Sequence, residues 1–279
     1  QPATEPLKGA RATQLVVALV LAALSYQLSA TMISPVLPQI AADLDTNLKD
    51  AAWISSLFLL VGAVAGIILG RWSDMVGRRT ALLLVMAIFV AGTLLCAVAP
   101  NLPVMLMGRA LQGASSAVFQ ISYVTMREQL SPKAFGPVLG IVTAVNGGAA
   151  GVDGYLSGLL TEHYGFRAVF FFILAAGVTA LVLVALFVPK QSAHAGTPLK
   201  MDWGGAAALA VGLTAASLGL EQAAGGGWTN PMLLVYLGLA AAAFYAFIQI
   251  EQRFSDPLIA PRHLASRKAW PVLLTTTFM

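Results

Sequence analysis

Charge is what this sequence has least of. Acidic and basic residues make up 10% of the 279 positions, apolar residues make up 58%, and the mean hydropathy is +0.80. A water-soluble domain carries roughly 25% charged residues, because its surface needs them. A chain this poor in charge cannot clothe a water-facing surface, which leaves an integral membrane protein, all-helical on the strength of the apolar runs described next. Cysteine is nearly absent too. Cys96 stands alone in an apolar run, which excludes a disulfide framework and a thiolate metal site. His163, His194 and His263 lie far apart and form no metal-ligand spacing, so neither a metal nor another cofactor is expected. No nucleophile–base constellation is visible either, and an enzyme is not expected.

Apolar runs are what the chain has in quantity. A spanning helix needs about 20 mostly apolar residues. Eight segments meet that length: 13–35, 51–70, 80–99, 103–126, 136–160, 167–188, 203–222 and 231–250, with a ninth beginning near Ala269. The first is too long for a signal-peptide core and reads as a retained span. Residues 189–202 (PKQSAHAGTPLKMD) carry Pro, Gly, Ser and Thr without helical period and read as a linker. The expected layout is a tail over 1–12, a six-helix bundle over 13–188, the linker, and two further spans within 203–250. A connection over 251–268 and the start of another bundle at 269–279 complete it. The start at Gln1 and the apolar run at Phe278-Met279 suggest the N-terminal portion of a longer protein.

The bases are distributed unevenly. Of the 16, thirteen fall on the N-terminal side of this layout, from Lys8 and Arg11 to Arg267 and Lys268. Lys49 and Arg167 fall on the other side, and Arg109 lies inside a span. Such an excess marks the cytoplasmic side, so the N-terminus is expected inside the cell. It also accounts for the net charge of +4 without nucleic acid as a partner.

Topology explains bases but not everything between the second and third spans. The run Gly70-Arg71-Trp72-Ser73-Asp74-Met75-Val76-Gly77-Arg78-Arg79 also holds an acid and two glycines. Gly70 allows a close backbone approach, Gly77 permits a turn at positive φ, and Asp74 can pair with Arg78. This run resembles the signature loop of the major facilitator superfamily, which in that family latches two six-helix bundles together at the cytoplasmic side. Arg109-Ala110-Leu111-Gln112-Gly113 is similar to the family's second motif, whose arginine belongs to the coupling machinery. Asp202-Trp203-Gly204-Gly205, Leu220-Glu221-Gln222 and Glu251-Gln252-Arg253 resemble the 14-helix drug/proton antiporter branch. That resemblance implies that 203–222 and 231–250 are two helices inserted between the bundles.

The chain departs from that branch at two places. An acid is usual in the first span, where this chain has Leu28-Ser29-Ala30-Thr31. The fifth span usually ends in Gly-Pro-x-x-Gly-Gly, where this chain has Asp153-Gly154-Tyr155-Leu156-Ser157-Gly158. One acid is missing and another has appeared. At 1.5 Å per residue, Arg109 and Asp153 both lie roughly 10 Å from the outer side. Ser29 falls in the same outer half. A charge at such depth faces a cavity or a partner. Three readings follow: a titrating Arg109–Asp153 pair, a permanent structural pair, or no contact. The glycines and alanine at 140, 144, 147, 151, 154 and 158 repeat at alternating four and three residues, a face suited to close helix packing in lipid.

Candidate cavity residues are Tyr26, Gln27, Ser29 and Met32 in the first span, Gln120 and Tyr123 in the fourth, and Asn146 in the fifth. The resemblance implies a multi-pass cell-membrane transporter that works by alternating access, with a small-molecule substrate, protons and the lipid bilayer as its partners. Proton-coupled export of lipophilic, cationic drugs or similar amphiphiles is the leading expectation. A metabolite or lipid carrier of the same fold, and a non-transporting scaffold or sensor, remain as alternatives.

Overall fold

The computed structural model describes residue 7 and residues 9–190, 201–226 and 230–253. Two compact units divide the chain, one within residues 1–195 and one within 196–279. Each is built of helices, and among the described residues there is no strand.

In the first unit, α1 covers Ala10–Thr31 and a 3₁₀ turn covers Ser34–Val36. Then come α2 (Leu37–Asp43), α3 (Leu48–Ala51), α4 (Trp53–Val76) and α5 (Arg78–Ala97). The remainder is α6 (Leu102–Ala114), α7 (Ala117–Gln129), α8 (Pro132–Tyr164) and α9 (Phe166–Phe187). Helix α1 stops short of the expected residue 35. Pro35 and Pro38 sit in the first positions of the next two helical turns, where a missing N–H costs least. Helix α4 overruns its expected end at residue 70, so most of the charged stretch is helical. Only Gly77 turns, with φ 91° and ψ 141°, a backbone that a side chain would strain.

The fourth expected span is not one helix. It breaks at Ser115-Ser116 into α6 and α7, each of 13 residues. Backbone bonds from Ser115 N to Gln112 O (3.1 Å) and Ser116 N to Gly113 O (3.0 Å) tighten the break into a 3₁₀-like turn. The two hydroxyls hold it open, Ser115 Oγ donating to Val85 O at 3.0 Å and Ser116 Oγ to Gly62 O at 2.6 Å. Six helical segments among the described residues are long and apolar enough to cross a membrane. Counting α8 makes seven, with its 42° bend between Pro132–Gly148 and Gly151–Tyr164. That bend falls at a glycine-rich run, where a helix is easily deformed.

Helices α5 and α6 meet glycine to glycine. A Cβ at Gly92 would lie 2.8 Å from Gly108 O, 2.8 Å from Leu111 Cβ and 2.9 Å from Gln112 N. Backbone atoms cannot yield as a flexible side chain would. Gly92→Ala is therefore expected to destabilise the bundle by about 1–3 kcal/mol, the usual range for overpacking. Gly140→Ala, where a Cβ meets nothing within 4 Å, is the neutral control. Thermal unfolding of the two variants in detergent checks this, and equal melting midpoints would contradict it.

Helix α8 corrects another expectation. Its glycines at 140, 147, 151, 154 and 158 have no neighbour within 4 Å of a built Cβ, so that face packs on nothing described. The helix instead turns Phe135, Val138, Val142, Leu156 and Leu160 to the core, and it buries Asp153 and Ser157.

The second unit is a helical pair, α10 (Trp203–Gly226) against α11 (Pro231–Arg253). Asp202 caps α10, its Oδ1 accepting from Gly205 N at 2.8 Å. Gly212 makes room for the Phe244 ring, which would lie 3.0 Å from an added Cβ. Glu221 is exposed on α10, while Asp202 and Glu251 are buried. Most of the expected linker, most of the 251–268 connection and all of 269–279 lie outside the described residues.

Candidate functional site

Three polar clusters and one cavity interrupt the apolar first unit. The first follows from the charged stretch. Asp74 and Arg78 are four apart across the α4–α5 turn, and Asp74 Oδ1 lies 2.5 Å from Arg78 Nη1. Arg78 also donates to Ser73 Oγ at 2.6 Å and reaches Glu128 of α7 at 3.4 Å. Arg79 Nη2 donates to Ala185 O of α9 at 2.6 Å. Ser73 and Glu128 were not singled out in the sequence; an acid fifty residues away carries no spacing signal. Gly70 does provide room, but for a side chain rather than for backbone, since the Gln120 carboxamide occupies the place of its missing Cβ.

The second cluster surrounds Arg109, which is fully buried. Its Nε donates to Ile54 O of α4 at 2.8 Å. Its Nη1 donates to Ser29 O (3.1 Å) and Ser29 Oγ (2.9 Å) of α1, and to Gln112 Oε1 (2.8 Å) of α6. Gln112 passes the chain on to Thr93 Oγ1 of α5 at 2.8 Å. The Phe58 ring lies 4.1 Å from the guanidinium carbon, a cation–π contact. Nη2 has no partner. Arg109 thus ties α6 to α1 and α4, and Gln112 extends the network to α5, with the charge met by carbonyl and hydroxyl dipoles.

The third cluster holds the acid. Asp153 of α8 is buried, and the Thr31 hydroxyl of α1 donates to its Oδ2. The Arg109–Asp153 contact that the sequence suggested is absent from this conformation. The cause is geometric. Ser29 and Thr31 are two residues apart, hence about 200° around α1 at 3.6 residues per turn. Ser29 reaches Arg109 on one side of α1 and Thr31 reaches Asp153 on the other, so α1 stands between the two charges.

A cavity of about 730 Å³ opens beside α1, between α7 and α8. Gln27, Gln120, Tyr123 and Asn146 line it, four of the seven residues proposed from sequence. The other three are corrected to the packed core. Tyr26 stacks on Phe58 with ring centroids 5.0 Å apart, Met32 is fully buried, and Ser29 is held by Arg109. Ser122 and Thr143 join the wall. Both are ordinary polar residues in an apolar run, and only the fold marks them. Asn146 Nδ2 donates to Val142 O at 2.9 Å, leaving its Oδ1 buried without a partner, as is Ser122 Oγ. No residue lining the cavity carries a charge. Among the described residues no group of three or more His, Cys, Asp or Glu could hold a metal.

Comparison with known proteins identifies the family. The sequence pattern of the Major Facilitator Superfamily matches residues 19–273. A uridine/deoxyuridine transporter of Lactococcus lactis subsp. cremoris (strain MG1363) is 32% identical, over 94% of this chain and 55% of its own length. A tetracenomycin C resistance and export protein of Streptomyces glaucescens is 29% identical, over 90% of this chain and 46% of its own. Multidrug resistance protein 3 of Bacillus subtilis (strain 168) is 27% identical, over 92% and 50%. The chain spans about half the length of these relatives. Among solved structures, the POT family transporter PepTSo aligns with a TM-score of 0.55 at 13% identity, covering 91% of this chain and 56% of that one, a likeness of fold.

Proposed function

Because this chain belongs to the major facilitator superfamily, we propose that it serves a proton-coupled exporter of uncharged amphiphiles that works by alternating access. The cavity carries the reading. A volume of about 730 Å³ suits a drug-sized ligand, and its apolar wall with Gln27, Gln120, Tyr123 and Asn146 offers hydrogen bonds without charge. An uncharged wall argues for neutral substrates over the cations expected from sequence, since a cation would lose its hydration with no acid to meet it. Asp153 is the proton-binding group. Arg109, spread over α1, α4 and α6, serves the coupling by holding α1 where Thr31 meets that acid. The Gly70–Arg79 stretch, with Gly77 at its turn and Asp74, Arg78 and Arg79 as its charges, is the conformational latch. Helices α10 and α11 are the two inserted helices. The protein sits in the cell membrane with its N-terminus in the cytoplasm, in keeping with its excess of bases on that side.

A second reading is favoured by one feature. Asn146 Oδ1 and Ser122 Oγ, on two residues of the cavity wall, are buried without a partner, and Gln27, Gln120 and Asn146 give that wall three carboxamides. Such a wall suits a nucleoside, the substrate named for the uridine/deoxyuridine transporter. Full-length protein in proteoliposomes, with a lumenal pH dye, separates the readings. Tetracenomycin C moving against a proton flux is the expected result. Movement of uridine alone favours the second reading. If neither compound responds to an imposed pH gradient, proton coupling is wrong.

A further inference from the structure

We infer that Thr31 is a positioning residue for the proton of Asp153, and that its hydroxyl passes the protonation state of that acid to α1 beside the cavity. The inference rests on the reading of Asp153 as the proton-binding group.

Asp153 is buried and has no ion pair among the described residues. Ionisable side chains on the elements around it are engaged elsewhere or lie away from it. On α1, Tyr26 stacks on Phe58 and Arg11 is in the first turn. On α7, Tyr123 packs edge-on to Phe135, Arg127 is in the last turn, and Glu128 meets Arg78. On α9, Arg167 donates to Ala99 O, and the 3₁₀ turn at Ser34–Val36 has no ionisable residue. On α8 itself, Tyr155 and Tyr164 are exposed, His163 contacts Leu159 O, and Lys133 and Glu162 lie toward opposite ends. An ionised carboxylate in such surroundings depends on hydrogen-bond donors, and the donor shown is Thr31.

That hydroxyl has two acceptors within reach, Asp153 Oδ2 and Gln27 O, the latter at 3.0 Å. It owns a single proton. When Asp153 is ionised, the charge-assisted bond to the carboxylate is the stronger and takes that proton. When Asp153 has bound a proton from water, the acid donates to Thr31 Oγ1, and the hydroxyl proton turns to Gln27 O. The one covalent change is the O–H bond formed on the carboxyl as a hydronium ion gives up its proton and becomes water; the Thr31 hydroxyl only rotates. Gln27 lines the cavity, so proton binding on α8 alters the hydrogen bonding of a cavity residue on α1.

The test needs no substrate, because the probe is the proton. Full-length protein in lipid vesicles is titrated by infrared spectroscopy, following the stretch of the protonated carboxyl group that disappears in Asp153→Asn. In Thr31→Val the midpoint of that band is expected to rise by about one pH unit, since the ionised form loses its hydrogen-bond donor. Thr31→Ser should restore the original midpoint. Thr31→Ala removes the hydroxyl in a smaller side chain, should valine prevent folding. An unmoved midpoint in the variants without hydroxyl, with the Asp153 band present, overturns the inference and leaves the proton site standing. A titrating band that survives in Asp153→Asn removes the proton site itself.

Discussion

Arg109→Ala is expected to yield no stably folded protein. The substitution strips the donor from Ile54 O, Ser29 O, Ser29 Oγ and Gln112 Oε1 at once, in a place closed to bulk water. Interhelical hydrogen bonds within membranes average about 0.6 kcal/mol and reach about 1.7. An acceptor left buried without a partner costs about 1–3 kcal/mol. The emptied space adds a cavity penalty, because Arg109 is the largest fully buried side chain described. Together these approach the lower end of the roughly 5–15 kcal/mol by which native proteins are stable. Arg109→Lys keeps the charge but not the reach. An ammonium is a point donor on a flexible stem and cannot span acceptors on α1, α4 and α6 as the planar guanidinium does. It should fold, melt several degrees lower, and lose transport. Size-exclusion elution and thermal unfolding in detergent check both variants. An alanine variant that elutes and melts like the parent would show that the network holds nothing.

Much of this arrangement was legible in the sequence where a local rule governed it. Gly77 turns at positive φ, and Asp74 meets Arg78 four residues on, because both features depend on a few neighbouring residues. Depth can be estimated from sequence, since rise per residue is constant along a helix. Azimuth cannot. Arg109 and Asp153 lie on different helices at similar estimated depth, and nothing in the spacing says that α1 stands between them. Thr31 lies in the same run as Ser29, where the feature that stands out against the family pattern is a missing acid rather than a hydroxyl. Two polar residues two apart on an apolar helix were the available signal, since they point to opposite sides and therefore to two neighbours.

The break in the fourth span was illegible for another reason. Gly113 and Ser115-Ser116 read as small residues in an apolar run, which membrane helices tolerate. The hydroxyls break the helix through bonds to Val85 O and Gly62 O, partners on α5 and α4. A Cβ at Gly113 would press on the backbone of Phe58, 3.1 Å from its carbonyl carbon, so the crossing with α4 also depends on that glycine. Tertiary contacts of this kind leave no periodic trace in one chain's sequence. The open glycine face of α8 is the converse case, where a periodic trace was clear and the described residues supply no partner.

Asp153→Asn is expected to abolish proton-driven accumulation while substrate exchange continues. Asparagine keeps the shape of the side chain, and its Oδ1 still accepts from Thr31, so α1 and α8 stay joined. Only the titration is removed. A transporter whose cycle must bind and release a proton at this group then equilibrates its substrate but cannot concentrate it, because a ligand shifts an equilibrium only through different affinities for two states. With the amide permanently neutral, that difference is gone. Proteoliposomes under an imposed pH gradient give the readout: uphill flux at the parent rate against none in the variant, with counterflow at equal pH retained in both. Uphill flux in the variant would move the coupling to another acid. Loss of counterflow as well would give Asp153 a part in holding the bundle together. The Arg109 variants make the contrast usable. Their failure should appear first in the melting curve, and that of Asp153→Asn only when a gradient is applied.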